Sequence, residues 1–186
     1  MSTLRFRRGT RTDAGALAAL AARTFLETFG PDNRPEDMQA HLQEAYGVAQ
    51  QTAELDNPDI HTVLACQGDV LIAYAQVRRA EAPGCVTHPD PVELHRFYLD
   101  KSAHGSGLAA QLLHQVHAAA RALGGRHLWL GVWEHNPRAI AFYAKSGFTR
   151  VGSHVFMVGS DAQTDWVYCA PVPTAYPSEG SPCSPH

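Results

Sequence analysis

The chain has 186 residues, of which 45% are hydrophobic and 18% are charged, and its formal net charge is −3. A chain of this length is expected to form one domain and to bury roughly 70% of the surface that its unfolded form exposes. The charge argues against a nucleic-acid-binding protein, which would be clearly basic, and no apolar run approaches the ~18 residues of a membrane span. The start MSTLRFRRGT lacks the apolar core of a signal peptide, so we expect a cytoplasmic protein.

Cysteine and histidine positions do not predict a metal site or a disulfide framework. The cysteines lie far apart and form no CxxC pair, which favours free thiols in a reducing compartment: Cys66, Cys85, Cys169 and Cys183. His114 and His117 could share a helix face, but no acidic residue or cysteine stands at ligand spacing from them. We therefore expect no metal.

The first half of the chain predicts a strand, two helices and a hairpin. LRFRR is typical of a strand, and AGALAALAARTF, beginning at Thr12 or Asp13, is typical of a helix with a good N-cap. PEDMQAHLQEAY predicts a second helix, with Pro35 suited to its first turn. HTVLACQ and VLIAYAQVRR flank Gly68-Asp69, a dipeptide that favours a hairpin turn.

The second half alternates between strands and helices. PVELHRFYLD predicts a strand, and after a glycine loop Leu108, Leu112 and Val116 follow helical spacing until Gly124-Gly125. HLWLGVW predicts a strand, NPRAIAFYAKSG a short helix, and RVGSHVFMV with TDWVYCA a closing pair of strands. We predict a mixed α/β domain over residues 1–170 and a Pro/Ser-rich tail or extended arm over residues 171–186.

The glycine loop HGSGLAAQLL has the chemistry of an anion site. Gly105, Gly107 and Ala110 formally satisfy GxGxxA, but the loop follows the fourth predicted strand, and no acidic residue lies about 20 positions further on. The Lys-Ser/Thr pair of a P-loop is absent as well. Consecutive backbone N–H groups before a helix N-terminus can still bind a phosphate. A plain tight turn into a helix is the alternative.

A second motif follows in WEHNPRAIAFYAKSGF. Asn136 is a natural N-cap before Pro137, Tyr143 lies two turns later on the same side, and Gly147 ends the helix. The run N-x-x-A-x-x-x-Y-x-x-x-G-F, together with H-x-x-G-x-A in the loop, resembles the signatures of the GNAT acetyltransferase superfamily.

A narrower resemblance covers residues 13–170. TFLETFGPDNRPEDMQAHL, ELHRFYLD, LWLGVWEHNPRAIAFY and GSHVFMVGSDAQTDW are similar to PaiA-type polyamine acetyltransferases. Two positions depart from the family pattern. His104 replaces the Gln or Arg that leads the loop, and it is a shorter donor that is only partly charged near neutral pH. Ala109 stands where the narrower family usually has glycine.

The resemblance implies a GNAT fold, a mostly antiparallel sheet that is splayed between its fourth and fifth strands and flanked by helices. It also implies acetyl-CoA as co-substrate, with the pantetheine arm pairing to the splayed strand at Phe97, Tyr98 and Leu99. The pyrophosphate would bind the loop at His104, Gly105, Ser106, Gly107, Leu108 and Ala109. The second motif would add Asn136, Ala139 and Lys145 to the coenzyme site. Lys101 and Arg138 are further nearby cations.

Acetyl transfer to an amine needs a group that takes the amine's proton, and the departing thiolate benefits from an acid. The resemblance makes Tyr143 the acid and Glu93 a base; strand alternation predicts that Glu93 shares a face with His95 and Phe97. Glu134 and a chain of waters remain alternatives to Glu93.

The acceptor is predicted from charge. Residues 25–60 carry eight acidic side chains and one arginine. In this fold the first two helices wall the acceptor site, so the segment would concentrate a cationic small-molecule amine such as a polyamine. Protein N-terminal or lysine acetylation and a non-catalytic acyl-CoA-binding regulatory module are the alternatives. The closing strands and the tail could serve a homodimer.

Overall fold

A computed structural model describes residues 3–32, 35–158 and 161–174. Over these residues seven strands form one sheet: β1 Leu4–Arg8, β2 Ile60–Gln67, β3 Val70–Arg78, β4 Pro91–Leu99, β5 His127–Trp133, β6 Thr149–Val158 and β7 Asp161–Pro171. Five helices accompany them: α1 Ala14–Phe29, α2 Pro35–Tyr46, α3 Val48–Asp56, α4 Leu108–Ala122 and α5 Pro137–Lys145. None of these helices is long and apolar enough to span a membrane.

The sheet has the order β1-β2-β3-β4-β5-β7-β6, and only its central pair, β4 and β5, is parallel. These two strands pair over Pro91–Glu93 and His127–Trp129 and then separate. On their outer sides, β4 stays paired with β3 as far as Leu99, and β5 stays paired with β7 as far as Trp133. The predicted mixed sheet, splayed between its fourth and fifth strands, is therefore confirmed.

A bulge interrupts β4 just where it leaves β5. Leu94 and Arg96 pair with consecutive residues of β3, so His95 has no partner there. The extra residue reverses the alternation of side chains beyond it. Glu93 consequently points to the opposite face from Phe97, and the expectation that these two share a face is wrong.

The two faces of the sheet carry separate hydrophobic cores. Helix α4 and the α5 residue Tyr143 pack on one face, in a core that includes Leu112, Val116 and Leu128. Helices α1 and α2 pack on the other face, in a core that includes Leu17, Phe25, Leu64 and Tyr74. Because the splay lies in the middle of the sheet, it opens between these two layers.

Helix α3 is missing from the sequence-based prediction. Its buried residues are Gln51 and Glu54, both polar, so it lacks the apolar periodicity by which a helix is recognised. At the other end of the domain, β7 continues to Pro171 and Val172 is buried, its N–H donating to the Arg126 carbonyl over 2.8 Å. Most of the predicted tail, residues 175–186, lies outside the described residues.

Strand β6 forms one edge of the sheet and exposes Val155 and Met157 to 66% and 50%. An exposed apolar edge can pair with a second copy. The homodimer stays a prediction.

A buried ion pair joins α3 to β4. The Arg96 guanidinium donates to the Glu54 carboxylate, to the Gln76 side-chain oxygen at 2.6 Å and to the Ala45 carbonyl at 3.1 Å. Gln76 completes the network by donating to Glu54 at 3.0 Å. Burial alone would raise the pKa of Glu54, but Arg96 and the hydrogen bonds hold that pKa below its usual value.

Removing Glu54 should destabilise the domain strongly, because Arg96 would then be a buried charge without a counter-ion. We expect Glu54→Ala to lower the free energy of unfolding by about 3–5 kcal/mol. The matched control is Asp56→Ala, on the same helix, whose carboxylate pairs with Arg11 at the exposed surface; it should lose about 0–1 kcal/mol. Urea unfolding at pH 7 measures both, and equal losses would contradict the assignment. Since the folded pKa of Glu54 is lowered, its contribution should persist above the ordinary pKa and disappear as pH falls through the folded value.

Candidate active site

A cleft of about 960 Å³ opens where β4 and β5 separate. Its walls come from both strands, from α1, α2 and α5, and from single residues of β6 and β7. A volume of this size is suited to a substrate larger than a simple amine. The cleft brings together most of the residues that the sequence singled out.

The glycine loop lies at the N-terminus of α4. Gly105 and Gly107 have φ angles of 77° and 80°, which favour glycine because it has no Cβ. Ser106 Oγ donates to the Ala103 carbonyl at 2.6 Å and accepts the Leu108 N–H at 3.3 Å. The two left-handed glycines expose backbone beside the start of a helix, which is the arrangement that binds phosphate groups.

His104 is a bridge between the loop and α5. Its Nε2 lies 3.3 Å from the Leu99 carbonyl, and its Nδ1 lies 2.8 Å from Nη1 of Arg138. Since a carbonyl only accepts and a guanidinium only donates, both contacts are hydrogen bonds when Nε2 donates to Leu99 and Nδ1 accepts from Arg138. Both ring nitrogens are occupied, and Arg138 supplies the positive charge beside the loop. The sequence had suggested His104 itself as the partly charged donor.

Helix α5 is built as its motif predicts. Asn136 Oδ1 accepts the Ala139 N–H at 3.1 Å, and the helix begins at Pro137. Both Asn136 and Ala139 line the cleft, whereas Lys145 is exposed and is not among the described residues that line it.

Tyr143 is the α5 residue that reaches furthest into the protein. It is buried, and its ring contacts Phe97 of β4, with centroids 6.2 Å apart, while also lining the cleft. Burial raises the pKa of Tyr143, so its hydroxyl keeps its proton at neutral pH. A protonated hydroxyl beside the splay can donate to a developing negative charge.

Glu93 lines the cleft at the point where the strands separate, but it is tightly held. Its carboxylate accepts from Arg78 Nε at 2.5 Å and lies 3.4 Å from His95 Nδ1. Burial would raise the pKa of Glu93, yet His95 and Arg78 keep it below its usual value. A carboxylate so stabilised in its ionised form is a weak proton acceptor.

A polar group that the sequence analysis missed lies across the cleft. Asp165 of β7 is 8% exposed, and burial together with the charge of Glu134 raises its pKa to about 6. His154 of β6 lies beside it, with Nε2 4.0 Å from Asp165 Oδ2. The available signal was alternation along β7, which places Asp165 on the same face as the apolar Val167 and Cys169.

The cleft also has an aromatic wall, to which the described acids of residues 25–60 contribute little. The rings that line it are Phe25, Phe29, His41, Tyr46, Tyr98 and Trp133. Of the acidic residues in 25–60 with described side chains, Glu27 is the one that lines the cleft. Other acids of the segment are engaged elsewhere: Glu54 with Arg96, Asp56 with Arg11 and Asp59 with Arg79. The side chains of Asp32, Glu36 and Asp37 lie outside the described residues.

Within the described ranges, no group of three or more His, Cys, Asp or Glu side chains is arranged to hold a metal ion.

The cleft, the loop and the splayed sheet agree with what sequence comparison finds. The profile of the family described as "Acetyltransferase (GNAT) family" matches residues 20–148. The chain belongs to the GNAT acetyltransferase family. It is an acetyl-CoA-dependent N-acetyltransferase, and the glycine loop, the open edges of the splay and the cleft of about 960 Å³ fit coenzyme A.

Two relatives show how this GNAT chain compares with others. It is 36% identical over 156 residues to an uncharacterised N-acetyltransferase in the pepI 3′ region of Lactobacillus delbrueckii subsp. lactis, covering 83% of this chain and 90% of that one. It is 32% identical over 158 residues to the N-alpha-acetyltransferase RimI of Mycobacterium tuberculosis, covering 83% and 86%.

Among solved structures, the PaiA N-acetyltransferase from Thermoplasma acidophilum in complex with coenzyme A is similar in fold. The TM-score is 0.74 with 18% sequence identity, and the match covers 91% of this chain and 99% of that one. The ribosomal-protein-S18-alanine N-acetyltransferase from Escherichia coli matches with a TM-score of 0.67 and 16% identity, covering 96% and 100%.

The position of Arg138 predicts a role in coenzyme binding. We expect Arg138→Gln to weaken coenzyme A binding about five- to tenfold, because a charged donor beside the loop is lost, and the difference should shrink as salt rises. Lys145→Gln should change affinity little, since Lys145 is exposed outside the cleft. Calorimetric titration with coenzyme A measures both variants. A larger loss for Lys145→Gln would reverse the assignment in favour of the sequence-based prediction.

Proposed function

We propose that this GNAT enzyme moves the acetyl group of acetyl-CoA to a small cationic primary amine, most simply a polyamine, by direct attack of the amine on the thioester. The observation that carries the proposal is the cleft itself. It extends from His104 and Ala109, at the two ends of the glycine loop, to an aromatic wall, and its lining includes the carboxylates of Glu27, Glu81, Glu93 and Asp165. Aromatic rings and carboxylates are the groups that bind an alkyl ammonium.

The coenzyme occupies one half of the cleft in this proposal. Backbone groups of Phe97, Tyr98 and Leu99 pair with the pantetheine arm, because β4 lacks a partner strand on that side. The loop from His104 to Ala109 holds the pyrophosphate, with Asn136 and Ala139 completing the wall from α5. The same resemblance assigned Lys145 to the coenzyme, but its exposure outside the cleft supports Arg138 instead.

Tyr143 acts as the acid in the proposed reaction. The departing thiolate has a pKa of about 8.5 by analogy with cysteine, and a nearby hydroxyl stabilises it by donating a hydrogen bond or a proton. Glu93 is the proton acceptor that the resemblance implies. Its pairing with Arg78 makes it a positioning charge more readily than a base.

A second acceptor class is favoured by one observation. The 32% identity to a protein named as an N-alpha-acetyltransferase, over most of both chains, supports the N-terminal amine of a protein as the alternative acceptor. A regulatory module that binds acyl-CoA without turnover is the third reading, and the presence of Tyr143 in the cleft argues against it.

We place the reaction in the cytoplasm. The three cysteines with described side chains, Cys66, Cys85 and Cys169, are free, which fits a reducing compartment.

The acid role predicts a specific kinetic defect. Tyr143→Phe keeps the ring and its packing, so kcat should fall by about 10²–10⁴ while KM for acetyl-CoA barely moves. Tyr168→Phe is the matched control, because Tyr168 is buried but is not among the described residues lining the cleft. Steady-state rates of thiol release measure both. A Tyr143→Phe enzyme with the wild-type kcat would remove the acid from the proposal.

The acceptor class is tested by a panel of spermidine, a simple monoamine and a peptide with a free N-terminus. We expect the highest kcat/KM for spermidine, and Glu27→Gln should lower that value more than the value for the monoamine, since Glu27 is an acid of the 25–60 segment that lines the cleft. The loss of kcat/KM for spermidine that Glu27→Gln causes should become smaller as the salt concentration rises. Preference for the peptide would establish the alternative, and acetyl-CoA binding without turnover on any amine would establish the regulatory module.

A further inference from the structure

We propose that Asp165 of β7 receives the acceptor amine in its ammonium form and removes a proton from it, with His154 beside it. This inference rests on the proposed acetyl transfer to an amine and names the group that acts on that amine.

The backbone of β5 makes room for these side chains. Asp165 pairs with Trp133 on one side and with His154 on the other, so the three form a row across the strands. Gly131 lies two residues before Trp133, on the same face of β5, and as a glycine it has no side chain. A Cβ added there would lie 2.7 Å from His154 Nε2 and 3.0 Å from Asp165 Oδ2. Both side chains therefore cover Gly131 and line the cleft where the sheet opens.

Polar atoms in this wall lack partners within the described part of the chain. Asp165 Oδ1, His154 Nε2 and Trp129 Nε1 are each buried and form no hydrogen bond with the described residues. Native proteins rarely leave such atoms unsatisfied, and Asp165 and Trp129 are only 8% and 3% exposed. Since the same residues line the cleft, a substrate group is the natural partner. An ammonium fits the Asp165 carboxylate, which accepts, with the His154 nitrogen beside it.

The two carboxylates of the cleft differ in their ability to take a proton. Glu93 already accepts from Arg78 Nε at 2.5 Å, and its pKa is lowered by His95 and Arg78. Asp165 has no cationic partner at that distance among the described residues, and its pKa is raised to about 6 by burial and by Glu134. A base is most effective when its pKa lies close to the working pH, so Asp165 suits the task better.

Several other titratable groups face Asp165 or share its wall, and any pH profile has to separate them. They come from β4, from the segment after β5 and from β6: Glu93, His95, Glu134, His135 and His154.

The proton balance of the step is simple. The ammonium gives one proton to the Asp165 carboxylate, which later passes it to solvent. The free amine then forms the C–N bond at the thioester carbon, and the C–S bond breaks. Tyr143 donates a proton to the departing sulfur, the nitrogen releases its second proton to solvent, and Tyr143 recovers one proton from solvent, so the protons balance.

The decisive experiment is the pH dependence of kcat/KM for Asp165→Asn with spermidine. The wild-type value should rise through pH 6, as Asp165 ionises, and then stay level up to the pKa of the amine, about 10. Asp165→Asn can use only the amine that is already neutral, so its kcat/KM should rise tenfold per pH unit. The loss should be large at pH 7 and should shrink as pH rises toward the pKa of the amine. A variant that keeps the level profile and stays within threefold of wild type at pH 7 would overturn the proposal.

Three matched variants assign the rise near pH 6. Glu134→Gln should move it to lower pH, because the charge that raises the pKa of Asp165 is removed. Glu93→Gln and His154→Gln should alter the rate but retain the rise. Its disappearance in either of these would transfer the base role from Asp165 to that residue.

A substitution at Gly131 tests the same contact independently of any change at Asp165. Gly131→Ala adds a methyl group against His154 and Asp165 and should lower kcat/KM at pH 7 at least tenfold, with acetyl-CoA affinity within twofold of wild type. An unchanged rate would contradict the inference, even if Asp165→Asn folds poorly.

Failure of the proposed function would be seen separately. If the wild-type enzyme acetylates no amine of the panel, the proposed function fails. The role of Asp165 as a receptor for the ammonium is then tested by a binding measurement. Spermidine titrated into the coenzyme A complex at pH 7.5 should bind Asp165→Asn at least tenfold more weakly than wild type. Equal affinities would overturn the role of Asp165 on their own.

Discussion

The separation of β4 from β5 is the constraint on which the site depends. The two strands share three residue pairs in the middle of a sheet that is otherwise continuous on both sides. Backbone N–H and C=O groups inside a protein need partners, and along the splay a partner strand no longer supplies them. The fold thus keeps a place for an extended molecule with amide groups of its own, which is how coenzyme A is built.

Different elements line the two ends of the gap between β4 and β5. In the proposed arrangement the phosphates lie at the glycine loop and α4, where His104 contacts Arg138. Tyr143 approaches from the α5 side, while α1 and α2 bring aromatic rings to the acceptor side. The Glu54–Arg96–Gln76 network lies beneath this aromatic wall, and the Arg96 guanidinium stacks 4.8 Å from the Tyr46 ring centroid. A satisfied polar network under the wall holds β4 and α3 in one arrangement.

The charged groups of the cleft differ in their properties because their hydrogen-bond and ion-pair partners differ, more than because their residue types differ. His104 is engaged at both ring nitrogens, by the Leu99 carbonyl and by Arg138. Glu93 and Asp165 are both buried carboxylates, yet His95 and Arg78 stabilise the first in its ionised form, whereas burial, together with the charge of Glu134, disfavours ionisation of the second. Two carboxylates with pKa values displaced in opposite directions are a common way to divide binding from proton transfer.

The sequence by itself determined the order of most elements, the glycine loop and the N-cap of α5, because each depends on contacts within a few residues. Gly107 needs its left-handed backbone, and Asn136 needs only the Ala139 N–H three residues away. The sequence did not reveal α3, whose buried residues are polar, or the bulge at His95, which follows from pairing with β3. Only the tertiary structure decided that Glu93 faces Arg78 and that His154 and Asp165 fill the space over Gly131. These contacts join residues on different strands, and burial and charge set a pKa only after distant segments have come together.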